Sequence, residues 1–258
     1  MPRTCLVTGA ASGIGRATAD RLRSAGHTVL GADLQDADIR ADLATAEGRA
    51  ELVARAGELT GGRLDAVIAC AGIAAFDPLT VKVNHFGAVA TLEGLRPLLA
   101  AGTDPRAVVV SSVASVHPCD PAIVDAALAG DEPAAVAAAQ AAVDRGEGYL
   151  VYGSSKAALA RWVRRAAPTD GWAGAGIPLN GVAPGTVVTP MTAPMLADPD
   201  TRRVVDASVP MPLHGHARPE QAAPLLTWLA SPENSHVTGQ IVFIDGGADA
   251  VLRGDGTW

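Results

Sequence analysis

The chain has 258 residues, 48% of them hydrophobic, with 20 basic and 27 acidic side chains and a formal net charge of −7. That length fits one α/β domain spanning 1–258, and so much apolar material buries a sizeable core, which excludes intrinsic disorder as the main state. An acidic balance without any basic block argues against a nucleic-acid groove or an anionic membrane surface as partner.

Short apolar runs alternate with helical periodicity from the first residues onward. Thr4–Thr8 reads as a buried strand, followed by a glycine loop and a helix over Ile14–Ala25 with Gly26 as its stop. Further strands are expected at 27–32, 38–41 (short), 64–69, 107–111, 180–183 and 241–244, and helices at 46–59, 78–100, 150–167 and 219–230. This alternation implies right-handed βαβ crossovers, hence a Rossmann-type doubly wound parallel sheet of about seven strands covered on both faces. Two segments depart from the rhythm. Residues 117–148 are alanine-rich, and Asp120-Pro121 and Asp131-Glu132-Pro133 read as two consecutive helix starts. This insertion either packs, alters oligomer geometry or roofs a pocket. Residues 189–219 are Pro-rich and read as irregular, with Met191, Met195 and Met211 grouped there. These methionines either fill gaps in the core or form an adaptable apolar lid over a substrate.

Three cysteines, Cys5, Cys70 and Cys119, without CxxC spacing give neither a disulfide framework nor a zinc site, and suit a reducing cytoplasm. The N-terminal apolar run is too short for a signal peptide, and no stretch is long and apolar enough to span a bilayer. His214-Gly-His216 has no carboxylate beside it in the sequence, and no metal is expected there.

The loop after the first strand, Thr8-Gly9-Ala-Ala-Ser12-Gly13-Ile14-Gly15, carries three glycines between a strand and an amphipathic helix. Such a loop lets the backbone approach a pyrophosphate, which then rests on the positive helix N-terminus. Asp33 ends the second strand, where a carboxylate accepts hydrogen bonds from ribose hydroxyls and repels a 2′-phosphate; no arginine adjoins it, so NAD is favoured over NADP.

The chain has only two lysines, Lys82 and Lys156, and only two tyrosines, Tyr149 and Tyr152. One of each forms Tyr152-Gly-Ser-Ser-Lys156, four apart on one helical face. A phenol is a poor base at neutral pH, and a fixed cation nearby is expected to lower its pKa toward the operating range. That arrangement suits moving a proton on and off an alcohol.

Together, Thr8-Gly9-x3-Gly13-Ile14-Gly15, Cys70-Ala71-Gly72, Asn84, Ser111-Ser112, Tyr152-x3-Lys156, Pro184-Gly185 and Asp245-Gly246-Gly247 resemble the short-chain dehydrogenase/reductase family, in order and over nearly the whole chain. The resemblance implies Tyr152 as general acid/base and Lys156 as the group that lowers its pKa and holds the nicotinamide ribose. It implies Ser112, rather than Ser111, on the substrate oxygen, and Asn84 anchoring a water that relays protons. By the same resemblance Asp42 and Leu43 lie along adenine, Ala71, Gly72, Pro184 and Gly185 border the cofactor, and Val187 and Thr189 hold the carboxamide. Two departures stand out: Ala69-Cys70 replaces an Asn-Asn pair, and Ser112 and Tyr152 are 40 positions apart because of the insertion. The insertion, with Ala41-Asp-Leu-Ala-Thr-Ala-Glu-Gly-Arg49 and the C-terminal Ile-Asp-Gly-Gly run, is similar to the bacterial 3α-hydroxysteroid dehydrogenase/carbonyl reductase branch. That branch implies an NAD-dependent enzyme for a small hydrophobic alcohol or ketone. Aryl- or terpene-alcohol dehydrogenases, a noncatalytic NAD sensor and an epimerase or dehydratase remain the other readings. A homodimer is expected, with the Tyr152 helix blocked from a further contact by the insertion.

Overall fold

Seven strands form a single parallel sheet in the computed structural model, which describes residues 1–256. They are β1 (Thr4–Thr8), β2 (Thr28–Asp33), β3 (Ile39–Arg40), β4 (Ala66–Ala69), β5 (Arg106–Val110), β6 (Leu179–Pro184) and β7 (Ile241–Ile244), in the order β3-β2-β1-β4-β5-β6-β7. Every residue of β4, β5 and β6 is buried, as expected of strands covered on both faces. The strand order reverses between β1 and β4, so a crevice opens at their carboxyl ends.

Helices α1 (Gly13–Ser24) and α2 (Ala46–Thr60) follow β1 and β3, and α3 (Leu79–Val81) follows β4. The single helix expected over 78–100 is interrupted: a π-turn, Lys82–Gly87, separates α3 from α4 (Ala88–Ala100). After β5 come a short 3-10 turn at Val113–Val116, then α5 (Pro121–Leu128), α6 (Glu132–Asp144) and α7 (Tyr149–Ala166). Both expected starts in the alanine-rich segment are capped: Asp120 accepts from Ala122 N at 2.9 Å and Asp131 from Ala134 N at 3.0 Å.

The Pro-rich stretch is not irregular, contrary to expectation. It forms α8 (Ala193–Ala197) and α9 (Pro199–Ser208), followed by α10 (Pro219–Leu229) and, after β7, α11 (Ala248–Arg253). Pro194 and Pro199 sit in the first turns of α8 and α9, where a missing N–H costs nothing, and Asp198 caps α9 by accepting from Thr201 N at 2.8 Å. One core layer packs α2, α4 and α7 on the sheet, including Leu52, Leu92 and Leu159; the other packs α1 and α10, including Ala19, Leu22 and Leu226. A third cluster joins α5 and α6 to α7 and the π-turn, through Ile123, Ala139, Val151 and Phe86. Among the described residues, no helix is long and apolar enough to cross a membrane.

Candidate active site

The crevice above β1 and β4 is a cleft of about 420 Å³. At its near end lies the glycine loop. Gly9 has φ +67°, a conformation that side-chain-bearing residues rarely adopt, and a Cβ there would meet the Ala71 backbone at 3.0 Å. Gly15 is tighter still: a Cβ would lie 2.2 Å from the Gly9 carbonyl oxygen. The loop is therefore folded against its own helix and against the end of β4, where Thr8 Oγ1 accepts from Ala71 N at 3.0 Å. Ser12 caps α1 without spending its hydroxyl on the helix, which leaves the first turn open to an anion. Gly9, Ser12, Gly13, Ile14 and Gly15 all line the cleft.

Asp33 stands at the carboxyl end of β2 and lines the same cleft. Its Oδ2 accepts from Ala11 N at 3.0 Å and its Oδ1 from Leu34 N at 2.7 Å, so the carboxylate also braces the glycine loop. Asp42 and Leu43 form the next stretch of wall; Asp42 Oδ1 is turned to Ala44 N at 2.9 Å. Ala71 and Gly72 from the β4 end, and Pro184, Gly185, Val187 and Thr189 from the β6 end, line the far half. Thr189 is fixed by its neighbour Thr192, whose Oγ1 accepts from Thr189 N at 2.9 Å and donates to Val187 O at 2.6 Å. A loop that only glycine fits, an unspent helix cap and a carboxylate at the second strand end suit a pyrophosphate and an unphosphorylated ribose.

Tyr152 and Lys156 project from the first turns of α7 into this half of the cleft, with Lys156 Nζ 5.9 Å from the Tyr152 ring centroid. Lys156 is buried, 4% exposed, and donates to Val110 O at 3.0 Å. The two serines divide their work. Ser111 Oγ donates to the Lys156 carbonyl at 3.1 Å and so anchors α7. The Ser112 hydroxyl lines the cleft near the Tyr152 phenol and accepts from Ala114 N at 3.1 Å. Burial pushes the phenol pKa up, and the nearby Ser112 hydroxyl only partly opposes it. The expected lowering by Lys156 is thus not what the protein alone provides. The ammonium is engaged by Val110 O, and burial itself lowers the Lys156 pKa to about 8, against an opposing contribution from the Cys70 thiol. Burial in turn raises the Cys70 pKa to about 12.

Asn84, on the π-turn, does not line the cleft. It is fully buried behind Gly72: its Oδ1 accepts from Ile73 N at 2.8 Å, and its Nδ2 donates to Ile73 O at 2.9 Å and Ser155 Oγ at 3.2 Å. Ser155 in turn donates to the Tyr152 carbonyl at 2.7 Å, so Asn84 is linked to the helix that carries the phenol.

Of the three grouped methionines, only Met191 reaches the cleft. Met211 instead packs beneath the end of β6, its sulfur 3.2 Å from Thr186 N and close to Gly185. The sequence reading also missed Leu34, Ile73, Leu79 and Val83, apolar residues of the cleft wall with no motif to mark them. It missed the carboxylate partner of His216, too: Nε2 lies 2.6 Å from Asp206 Oδ1 across a turn. No group of three or more metal-ligating side chains occurs among the described residues.

A family model described as enoyl-(acyl carrier protein) reductase matches residues 9–249. The chain is 40% identical to a 3-alpha-hydroxysteroid dehydrogenase/carbonyl reductase of Comamonas testosteroni, over 96% of this chain and 97% of that protein. It is 34% identical to a cis-4-hydroxycyclohexanecarboxylate dehydrogenase of Sinomonas cyclohexanicum, over 96% and 97%. Among solved structures, that of a 3-alpha-hydroxysteroid dehydrogenase from Pseudomonas sp. B-0831 complexed with NADH superposes with a TM-score of 0.90, at 41% identity over 98% of this chain and 99% of that one.

Proposed function

The chain belongs to the short-chain dehydrogenase/reductase family, and from that premise we propose that it interconverts a hydrophobic secondary alcohol and its ketone with NAD, as a 3α-hydroxysteroid dehydrogenase/carbonyl reductase. The observation that carries this reading is the meeting of Ser112, Tyr152 and Lys156 at one end of a cleft whose other end is built for a dinucleotide. Similarity to a hydroxysteroid dehydrogenase and to an NADH complex supports substrate class and cofactor.

NAD supplies the hydride carrier. Gly9, Ser12, Gly13, Ile14 and Gly15 would hold its pyrophosphate, Asp33 the adenosine ribose, and Asp42 and Leu43 the adenine. Ala71, Gly72, Pro184, Gly185, Val187 and Thr189 border the nicotinamide end. The Ser112 hydroxyl orients the substrate oxygen and Tyr152 moves the proton at that oxygen. A phenol kept protonated by burial is suited to donating to a ketone. Lys156 would hold the nicotinamide ribose and, with Asn84 behind it, would pass a proton taken from solvent back to Tyr152. The apolar wall of Ile73, Leu79, Val83 and Met191 excludes water around a hydrophobic substrate, and residues 189–219 cover it.

Tyr152→Phe tests the reading. Turnover of a hydrophobic secondary alcohol should fall by about 10³-fold, as loss of a general acid/base does, while NADH still binds by fluorescence titration. Wild-type inactivity across steroid, aryl and terpene alcohols would sink it. The free thiols of Cys5, Cys70 and Cys119 support a cytoplasmic setting.

A further inference from the structure

Two polar groups of the 117–148 segment bear on the π-turn, Glu132 through Arg49 and the Ala127 carbonyl directly, one on each side of Asn84. On the first side Glu132, which opens α6, grips Arg49 of α2 with two hydrogen bonds, Nη1 to Oε2 at 2.6 Å and Nη2 to Oε1 at 3.0 Å. The pair is largely withdrawn from solvent, with side chains 12% and 28% exposed. The same guanidinium donates from Nη2 to the Lys82 carbonyl at 3.0 Å and from Nε to the Leu43 carbonyl at 2.7 Å. On the second side, the Ala127 carbonyl of α5 takes the Nε2 hydrogen of His85 at 3.0 Å. Burial lowers the His85 pKa to about 4, so the ring is neutral and its donor is fixed by that carbonyl.

The π-turn interrupts the α-helical ladder, and here groups from other elements bond its Lys82 carbonyl and His85 ring. Lys82 and His85, flanking Val83 and Asn84, are both held by groups tied to α5 and α6. A bidentate, half-buried ion pair has the directional rigidity for this task, and loss of one member leaves the other charge uncompensated.

We infer that residues 117–148 brace the π-turn, with Arg49, Glu132 and His85 as positioning residues that keep Asn84 aligned on Ile73 behind Gly72 and Lys156. Through the Leu43 carbonyl the same guanidinium carries the brace into the adenine wall. The inference rests on the reading of Asn84 as part of the proton path, so its test separates the two.

The full chain is assayed with saturating NAD and a hydrophobic secondary alcohol across pH, with melting curves alongside. Glu132→Ala should lower kcat roughly tenfold and move the pH–kcat limb, with the alcohol KM changed by less than about twofold. Glu132→Gln, which retains one acceptor, should fall between, and carries the test alone if the alanine variant does not fold. In an Asn84→Ala background, Glu132→Ala should change kcat by less than about twofold. An unchanged kcat with a lowered melting temperature, or the same tenfold loss in both backgrounds, overturns the brace. If Asn84→Ala alone leaves kcat intact, the proton-path reading fails and the inference falls with it.

Discussion

The Lys156 ammonium donates a 3.0 Å hydrogen bond to the Val110 carbonyl, at the last residue of β5. The strand thus holds the cation beside the phenol but does not compensate its burial, and its pKa falls from 10.5 to about 8. A folded-state pKa below the unfolded one means that the unfolded chain binds more protons between pH 8 and 10.5. Stability from this group therefore rises with pH through that window, and its full cost is present below pH 8. Lys156→Met should abolish turnover yet stabilise the protein at pH 7 by on the order of 2 kcal/mol. Urea midpoints against pH should show a rise for wild type above pH 8 that the variant lacks.

Asp33 accepts from Ala11 N and Leu34 N. Asparagine keeps an acceptor for the loop but loses the charge that favours ribose hydroxyls over a 2′-phosphate. Asp33→Asn should weaken NAD about tenfold, the scale of one charge-assisted hydrogen bond, and strengthen NADP relative to it. Competitive binding titrations measure the ratio; an unchanged preference would contradict the assignment.

At Gly15 the geometry leaves no room, with a Cβ 2.2 Å from the Gly9 carbonyl oxygen. Gly15→Ala forces the loop off its helix, and should cost about 3 kcal/mol of unfolding free energy together with NAD affinity. A variant that melts and binds as wild type would show that the loop can relax.

The outer face of α7 is covered by α5, where Ile123, Val124 and Ala127 share a cluster with Val151, Ala157 and Ala158. A second copy has no access to α7 there. Light scattering after gel filtration should give twice the 26.0 kDa chain mass; a tetramer joined through α7 would refute this.

Sequence legibility follows distance along the chain. The glycine loop, Asp33 and the Tyr152–Lys156 pair could be read because their geometry is set by neighbours a turn or a strand apart, and the strands because burial on both faces writes continuous apolar runs. The interruption at Asn84 was illegible: its partners Ile73 and Ser155 come from other elements. So were the Arg49–Glu132 grip and the burial that raises the Tyr152 pKa, since both depend on chain segments far apart in sequence. The helices α8 and α9 are hidden in a Pro-rich stretch because a proline can open a helix as well as end one.

The two halves of the cleft are drawn from successive stretches of chain, the first ending with α2 and the second beginning at β4. Between them Gly61 and Gly62 turn with positive φ, and nothing lies within 4 Å of where their side chains would be. On the proposed reading, holding adenosine and moving a proton are separate chapters of one polypeptide, joined by the pairing of β1 with β4, by the Arg49–Lys82 hydrogen bond and, at the cleft itself, where Thr8 and Gly9 press on Ala71. Substitutions can accumulate around the catalytic end, and so retune which alcohol is accepted, while the nucleotide cradle stays as it is.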